Sequence, residues 1–177
     1  MEYVIRKARL DEREEIQQLI SDSARALSQE DYTGAQIDAA LRMVYGVDTS
    51  LIQDGTYFVA DSDGRLVACG GWSRRRTLFG GDQFSARDAT ELDPETEPAK
   101  IRAFFVHPEF ARQGIARAIL ERCESEARAY GFHSLELMST LPGIKLYEAC
   151  GYAGIERVEY DAGGVVIQFL LMRKEGL

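Results

Sequence analysis

The sequence predicts an α/β domain with a mixed central sheet flanked by helices. Three observations carry that reading. Segments with helical hydrophobic spacing alternate with short runs of β-branched and aromatic residues. A strand, helix, strand passage in the second half implies a parallel pair. The length of 177 residues, with 45% hydrophobic and 28% charged residues, suits one domain spanning 1–177 around a sizeable core and argues against disorder.

Tyr3 to Ala8 reads as a first strand. Asp11 then caps a helix, with Glu14 three residues on, and Ile16, Leu19, Ile20, Ser23 and Leu27 supply its buried face. A second helix is predicted from Gly34 to about Val47 through Ile37, Leu41, Val44 and Tyr45. Thr56 to Ala60 and Arg65 to Trp72 read as strands joined by the turn Asp61-Ser62-Asp63-Gly64, an antiparallel pair. Thr77 to Lys100 lacks a period and reads as a long loop, a length that is uncommon unless the loop is functional or disordered.

Lys100 to Val106 is the next strand, ended by His107-Pro108. Gly114 to Tyr130 follows as a helix with Ile115, Ile119, Cys123, Ala127 and Tyr130 inward. Arg117, Glu121, Glu124 and Arg128 face outward, Glu124 and Arg128 in the favourable i,i+4 order, and Gly131 caps the end. Ser134 to Met138 is a strand parallel to the previous one. Gly143 to Cys150 is a short helix, and strands near Gly154 to Tyr160 and Val165 to Arg173 close the chain.

Charge and composition narrow the function classes. A net charge of -8, from 21 basic and 29 acidic residues, opposes nonspecific nucleic-acid binding and leaves room for a cationic amine acceptor. No apolar run approaches the roughly 20 residues of a membrane helix. The N-terminus lacks a signal-peptide layout. Cys69, Cys123 and Cys150 have no metal-like spacing and read as reduced core residues, as expected of a cytoplasmic protein without a metal.

The chemistry concentrates where the strand Phe104-Phe105-Val106 runs through His107-Pro108 into Arg112-Gln113-Gly114-Ile115-Ala116-Arg117 at a helix start. Unpaired first-turn amides and the helix dipole suit a phosphate or pyrophosphate. Gly114 and Ala116 let an anion approach the backbone, and Arg112 and Arg117 add positive charge. Neither a dinucleotide Gly-x-Gly-x-x-Gly nor a Walker Gly-Lys-Ser/Thr motif is present.

At these residues the sequence resembles the GNAT superfamily of N-acetyltransferases, whose signature is Gln/Arg-x-x-Gly-x-Gly/Ala. Ala111 stands where the family has Gln or Arg, which affects a side-chain contact and not the amide cradle. Tyr147-Glu148-Ala149-Cys150-Gly151-Tyr152 resembles the family's Tyr-Glu-x-x-Gly-Phe/Tyr element, and the order of elements matches over nearly the whole chain.

The resemblance implies a splay between the fourth and fifth strands, with acetyl-CoA as cosubstrate and its pantetheine paired along Phe104, Phe105 and Val106. It implies a pyrophosphate on Arg112 to Arg117 and Tyr147 as general acid toward the leaving sulfur. It also implies a cofactor contact at Thr140, where the family often has Asn. The expected reaction is acetyl transfer to a primary amine of a small molecule or peptide. The alternative is a noncatalytic acyl-CoA-binding module on the same fold.

A general base is not legible: the strand through Arg102 carries no acid, His107 and His133 read as structural or exposed, and Glu91, Asp93, Glu95 and Glu97 read as a solvated run. Arg74, Arg75 and Arg76 read as a solvated edge or, alternatively, as a contact for an anionic acceptor or a neighbouring subunit in a homodimer. Trp72 reads as core.

Overall fold

The apolar runs become seven strands: β1 (Val4–Lys7), β2 (Tyr57–Ser62), β3 (Arg65–Ser73), β4 (Ala99–Val106), β5 (Leu135–Ser139), β6 (Ala153–Ala162) and β7 (Val165–Lys174). In the computed structural model, which describes residues 2–177, they form one sheet in the order β1-β2-β3-β4-β5-β7-β6. Every neighbouring pair is antiparallel except β4 and β5, which are parallel. The helices are α1 (Arg13–Leu27), α2 (Gly34–Met43), α3 (Thr49–Asp54), α4 (Ile115–Tyr130) and α5 (Ile144–Ala149).

Alternation along the strands divides the core between the two faces of the sheet. Tyr57 and Val59 of β2 point toward α1 and α2, where Ile16, Ile20 and Ile37 are buried. Phe58 and Ala60 point the other way, toward Ile115, Ile119, Cys123 and Ala127 of α4. Gly131 ends α4 at φ +119°, and its amide bonds the Ala127 and Arg128 carbonyls.

Several expectations change. A short 3-10 turn, Leu10–Glu12, precedes α1, and Glu12 rather than Asp11 or Glu14 organises the start. Its carboxylate accepts the Arg9 amide at 2.8 Å and both Arg6 Nη atoms at 3.0 and 2.7 Å. The second helix stops at Met43, and Asp48 caps a separate helix, α3, closed by Gly55 in the left-handed region.

On α4, Tyr130 is 51% exposed, stacked on Phe132 instead of buried. Glu124 is buried, because its carboxylate takes the Tyr152 hydroxyl and Lys174 Nζ, each at 2.9 Å, instead of Arg128. The i,i+4 pairs that form on α4 are Arg117 with Glu121 at 3.2 Å and Arg122 with Glu126 at 3.5 Å. No helix among the described residues is long and apolar enough to cross a membrane.

Candidate active site

The two parallel strands touch only at their beginnings. Ala99 pairs with Leu135 and Lys100 with Glu136, and from Ile101 on β4 has no partner on the β5 side. β4 also bulges against β3, where the register shifts between Cys69 and Gly71. Ala103 sits in the bulge at φ +54°, a left-handed conformation that costs a non-glycine residue about 1 kcal/mol. The Tyr57 hydroxyl donates to the Ala103 carbonyl at 2.8 Å and holds it there. The second half of β4, Phe104 to Val106, therefore lines an open groove with an unpaired strand edge in the middle of a sheet.

Three connected cavities follow this edge. The first runs between α1 and α5 and is lined by Ser23, Leu27, Phe104, Phe105, Val106, Thr140 and Tyr147. It shares Val106, Arg112, Ala116, Pro142 and Leu146 with a second, at the start of α4. Gly114 caps that helix at φ +83°, next to Arg112 at φ +60°, and the first intrahelical bond runs from the Ala118 amide to the Gly114 carbonyl. The amides of Ile115, Ala116 and Arg117 thus have no carbonyl one turn back. Arg112, Arg117 and Lys145 line the same cavity without a carboxylate.

On its other side the groove opens into a third cavity, a cleft sharing Tyr45, Phe104, Phe105, Thr140 and Tyr147 with it. Tyr147 stands at this junction on α5, its ring packed edge-on to Phe104 at 6.4 Å and to Tyr152 at 5.8 Å. Burial pushes its phenol above the ordinary range, so the proton stays on at neutral pH. Thr140 leads into the 3-10 turn Leu141–Gly143 that starts α5. That turn is held from below: the Leu141 amide donates to the Tyr32 hydroxyl at 3.0 Å, and Tyr32 donates to the Gln168 carbonyl at 2.6 Å.

The other sequence-predicted residues fall in plain places. Ile115 is buried in the core and offers only its backbone. Gln113 is exposed, its amide reaching back to the Glu109 carbonyl at 3.5 Å. Trp72 is buried and donates to Glu126 at 3.2 Å. His107 caps the turn Pro108–Phe110 by accepting the Glu109 amide, and His133 is exposed near Glu95.

The arginines after Trp72 are committed internally. Arg74 and Arg75 share Asp54, Arg74 also takes Glu91 at 3.0 Å, and Arg76 takes Glu97 at 2.6 Å. These pairs fasten the long loop to the sheet.

Other residues of the site carried no sequence signal of their own. Leu78, Phe79, Gly80 and Gly81 of the long loop wall the cleft. Beneath them Asp48 accepts from Arg102 at 2.7 Å and Arg87 at 2.9 Å, while Arg102 also binds the carbonyls of Thr77 and Gly80 and Arg87 those of Gly80 and Gly81. Lys145 was findable only by its place two residues before Tyr147. Among the described residues no group of three or more His, Cys, Asp or Glu is placed to hold a metal ion.

Residues 14–152 match the model of the Acetyltransferase (GNAT) family. The chain belongs to that family. A search of curated proteins gave no match.

Among solved structures, this GNAT chain is similar to a GCN5-related N-acetyltransferase from Rhodopseudomonas palustris, at 15% identity and TM-score 0.73 over 99% of this chain and 96% of that one. It is similar to the PaiA N-acetyltransferase from Thermoplasma acidophilum, solved with coenzyme A, at 14% identity and TM-score 0.65 over 99% of both. It is also similar to YncA of Salmonella typhimurium, a putative acetyltransferase solved with acetyl-CoA, at 16% identity and TM-score 0.64 over 99% and 94%. At these identities the likeness is one of fold. The GNAT sheet with its parallel, splayed β4 and β5 is the feature shared with the expectation from sequence.

Proposed function

We propose that the protein is an acetyl-CoA-dependent N-acetyltransferase that acts on a primary amine by direct attack. One observation carries the reading. An amide cradle ringed by Arg112, Arg117 and Lys145, an unpaired strand edge and an aromatic cleft lie in one continuous line, with Tyr147 where the last two meet. The pyrophosphate fits the cradle. The amides of pantetheine fit the free edge of Phe104 to Val106 as an added strand would. The thioester then falls beside Tyr147 and Phe105, facing the cleft.

The chemistry balances with the groups present. The amine nitrogen lone pair attacks the thioester carbonyl carbon, the C–N bond forms and the C–S bond breaks. Tyr147 donates its phenolic proton to the departing sulfur. The ammonium sheds one proton to water before attack, and the second, on the nitrogen of the adduct, passes through water and restores the Tyr147 phenol, because no Asp, Glu or His lines the cleft among the described residues. That same lack of a base is what favours the second reading, a noncatalytic acyl-CoA-binding protein.

Thermal melting tests the cofactor half of the proposal. Acetyl-CoA at a hundred times its Kd should stabilise the fold by about 2.7 kcal/mol, a rise of about 5–11 °C for a chain of this size. No rise at saturating acetyl-CoA refutes the proposal. A rise without CoA release from any amine selects the noncatalytic reading.

A further inference from the structure

Beyond the Tyr147 ring the cleft is walled by aromatic groups. Phe79, Phe105 and Phe169 line it, with Phe79 and Phe169 5.8 Å apart and Phe105 edge-on to Tyr45 at 5.5 Å. Arg102 is the one charged residue among the described lining. Its guanidinium and that of Arg87 share the single carboxylate of Asp48, so the base of the cleft carries an excess positive charge. The neighbouring Arg74 and Arg75 are balanced by Asp54 and Glu91, which leaves that excess in place.

Tyr45 lines both this cleft and the cofactor groove. The side chain is 6% exposed, and the hydroxyl has no hydrogen-bond partner. Tyr32 is the polar side chain beside it, and the Tyr32 hydroxyl already donates to the Gln168 carbonyl and accepts from the Leu141 amide. The only other buried atom in this condition among the described residues, Arg173 Nε, lies 2.7 Å from the Glu175 carboxylate. Tyr45 thus stands out as a residue at the meeting of groove and cleft whose buried hydroxyl lacks a well-formed hydrogen bond.

Resting on the acetyltransferase reading, we infer that this cleft takes an acceptor with an apolar body whose only positive charge is the reacting ammonium, and that the Tyr45 hydroxyl positions it by a hydrogen bond. A second cationic group would be desolvated against Arg102 with no carboxylate to receive it. An aromatic or branched aliphatic body finds matching walls.

The test measures CoA release at saturating acetyl-CoA with phenethylamine, phenylalanine, spermidine and lysine, for the wild type and Tyr45→Phe. The kcat/KM values for phenethylamine and phenylalanine should exceed those for spermidine and lysine by about 100-fold, the scale of an uncompensated like-charge contact. Tyr45→Phe should melt at or above the wild-type temperature and keep its acetyl-CoA shift, yet lose about tenfold in kcat/KM for the apolar amines.

Spermidine or lysine turned over as well as the apolar amines overturns the inference while leaving the acetyltransferase reading intact. Unchanged kcat/KM in Tyr45→Phe overturns the role of the hydroxyl. An acetyl-CoA shift with no CoA release from any of the four removes the inference, and a wider amine panel then decides the parent reading.

Discussion

Asp48→Asn isolates the electrostatics under the cleft. The replacement keeps the shape and can still accept the Ser50 amide that Asp48 now takes at 3.0 Å, so the cap of α3 survives. What disappears is the one negative charge between Arg102 and Arg87. Arg102 is 3% exposed and has no other counter-ion. Removing one partner of such a buried pair costs about 3–5 kcal/mol. Arg87 adds less, because its side chain is 26% exposed and water screens it.

At about 2–4 °C per kcal/mol for a chain of this size, the melting point should fall by about 6–20 °C. Urea unfolding followed by circular dichroism measures the loss directly. The same arginines hold the carbonyls of Thr77, Gly80 and Gly81, so the variant should also be cut faster by protease within residues 77–98. Asp54→Asn is the matched control. Its partners Arg74 and Arg75 are 21% and 27% exposed, and the expected cost is about 1 kcal/mol. If Asp48→Asn costs no more than Asp54→Asn, the argument that burial concentrates the charge energy at Asp48 is wrong.

Tyr147→Phe should lower kcat by about 100-fold and leave the acetyl-CoA melting shift unchanged. Burial raises this phenol, and a raised group keeps its proton below the ordinary value and loses it only above; kcat should therefore show no alkaline fall from Tyr147 below about pH 10. An alkaline limb below that pH that disappears in Tyr147→Phe contradicts the assignment. Gly70→Ala places a Cβ 2.8 Å from three atoms of the Phe104 ring, an overpacking that costs about 1–3 kcal/mol and pushes the ring toward the groove. Its acetyl-CoA shift should shrink. A full wild-type shift would mean that the Phe104 ring does not border the cofactor path.

The parts of the site that are local in sequence were legible in it. Gly114 and Gly131 bracket α4, and Tyr147 lies in a short helix followed by Gly151, so spacing and turn chemistry place the elements, while the role expected of Tyr147 came from the family resemblance alone. The floor of the cleft was not legible, because its bonds join residues far apart in the chain: Arg102 to Asp48, and Arg87 to the same carboxylate. Read as sequence, Arg102 registers only as the lack of an acid on β4; in the fold it is the anchor of the long loop.

The separate α3 carried its signals in plain view, Asp48 as cap and Gly55 as stop, but no element is assigned from sequence between the helix predicted to about Val47 and the strand from Thr56. Ala103 gave no signal at all. Nothing in an alanine marks a left-handed bulge, which exists here because Tyr57 holds its carbonyl from the neighbouring strand.

The hydrogen-bonding deficits of the fold explain why these features coincide. A buried polar group is ordinarily paired, and a strand in mid-sheet ordinarily has two neighbours. Here Arg102, Asp48, Glu12 and Glu124 are all paired within the protein, some by three bonds or more. The unmet capacity collects elsewhere: in the first-turn amides of α4, along β4 after Lys100, and at the Tyr45 hydroxyl. All three border one run of cavities, and each calls for a different kind of group, an anion, an extended chain with amides and a single polar atom. A long cosubstrate with a phosphorylated end, followed by a small acceptor, supplies them in that order. A fold selected for stability alone would close β4 onto β5 and carry Phe at position 45. The protein keeps both positions open along the path that the proposed reaction needs.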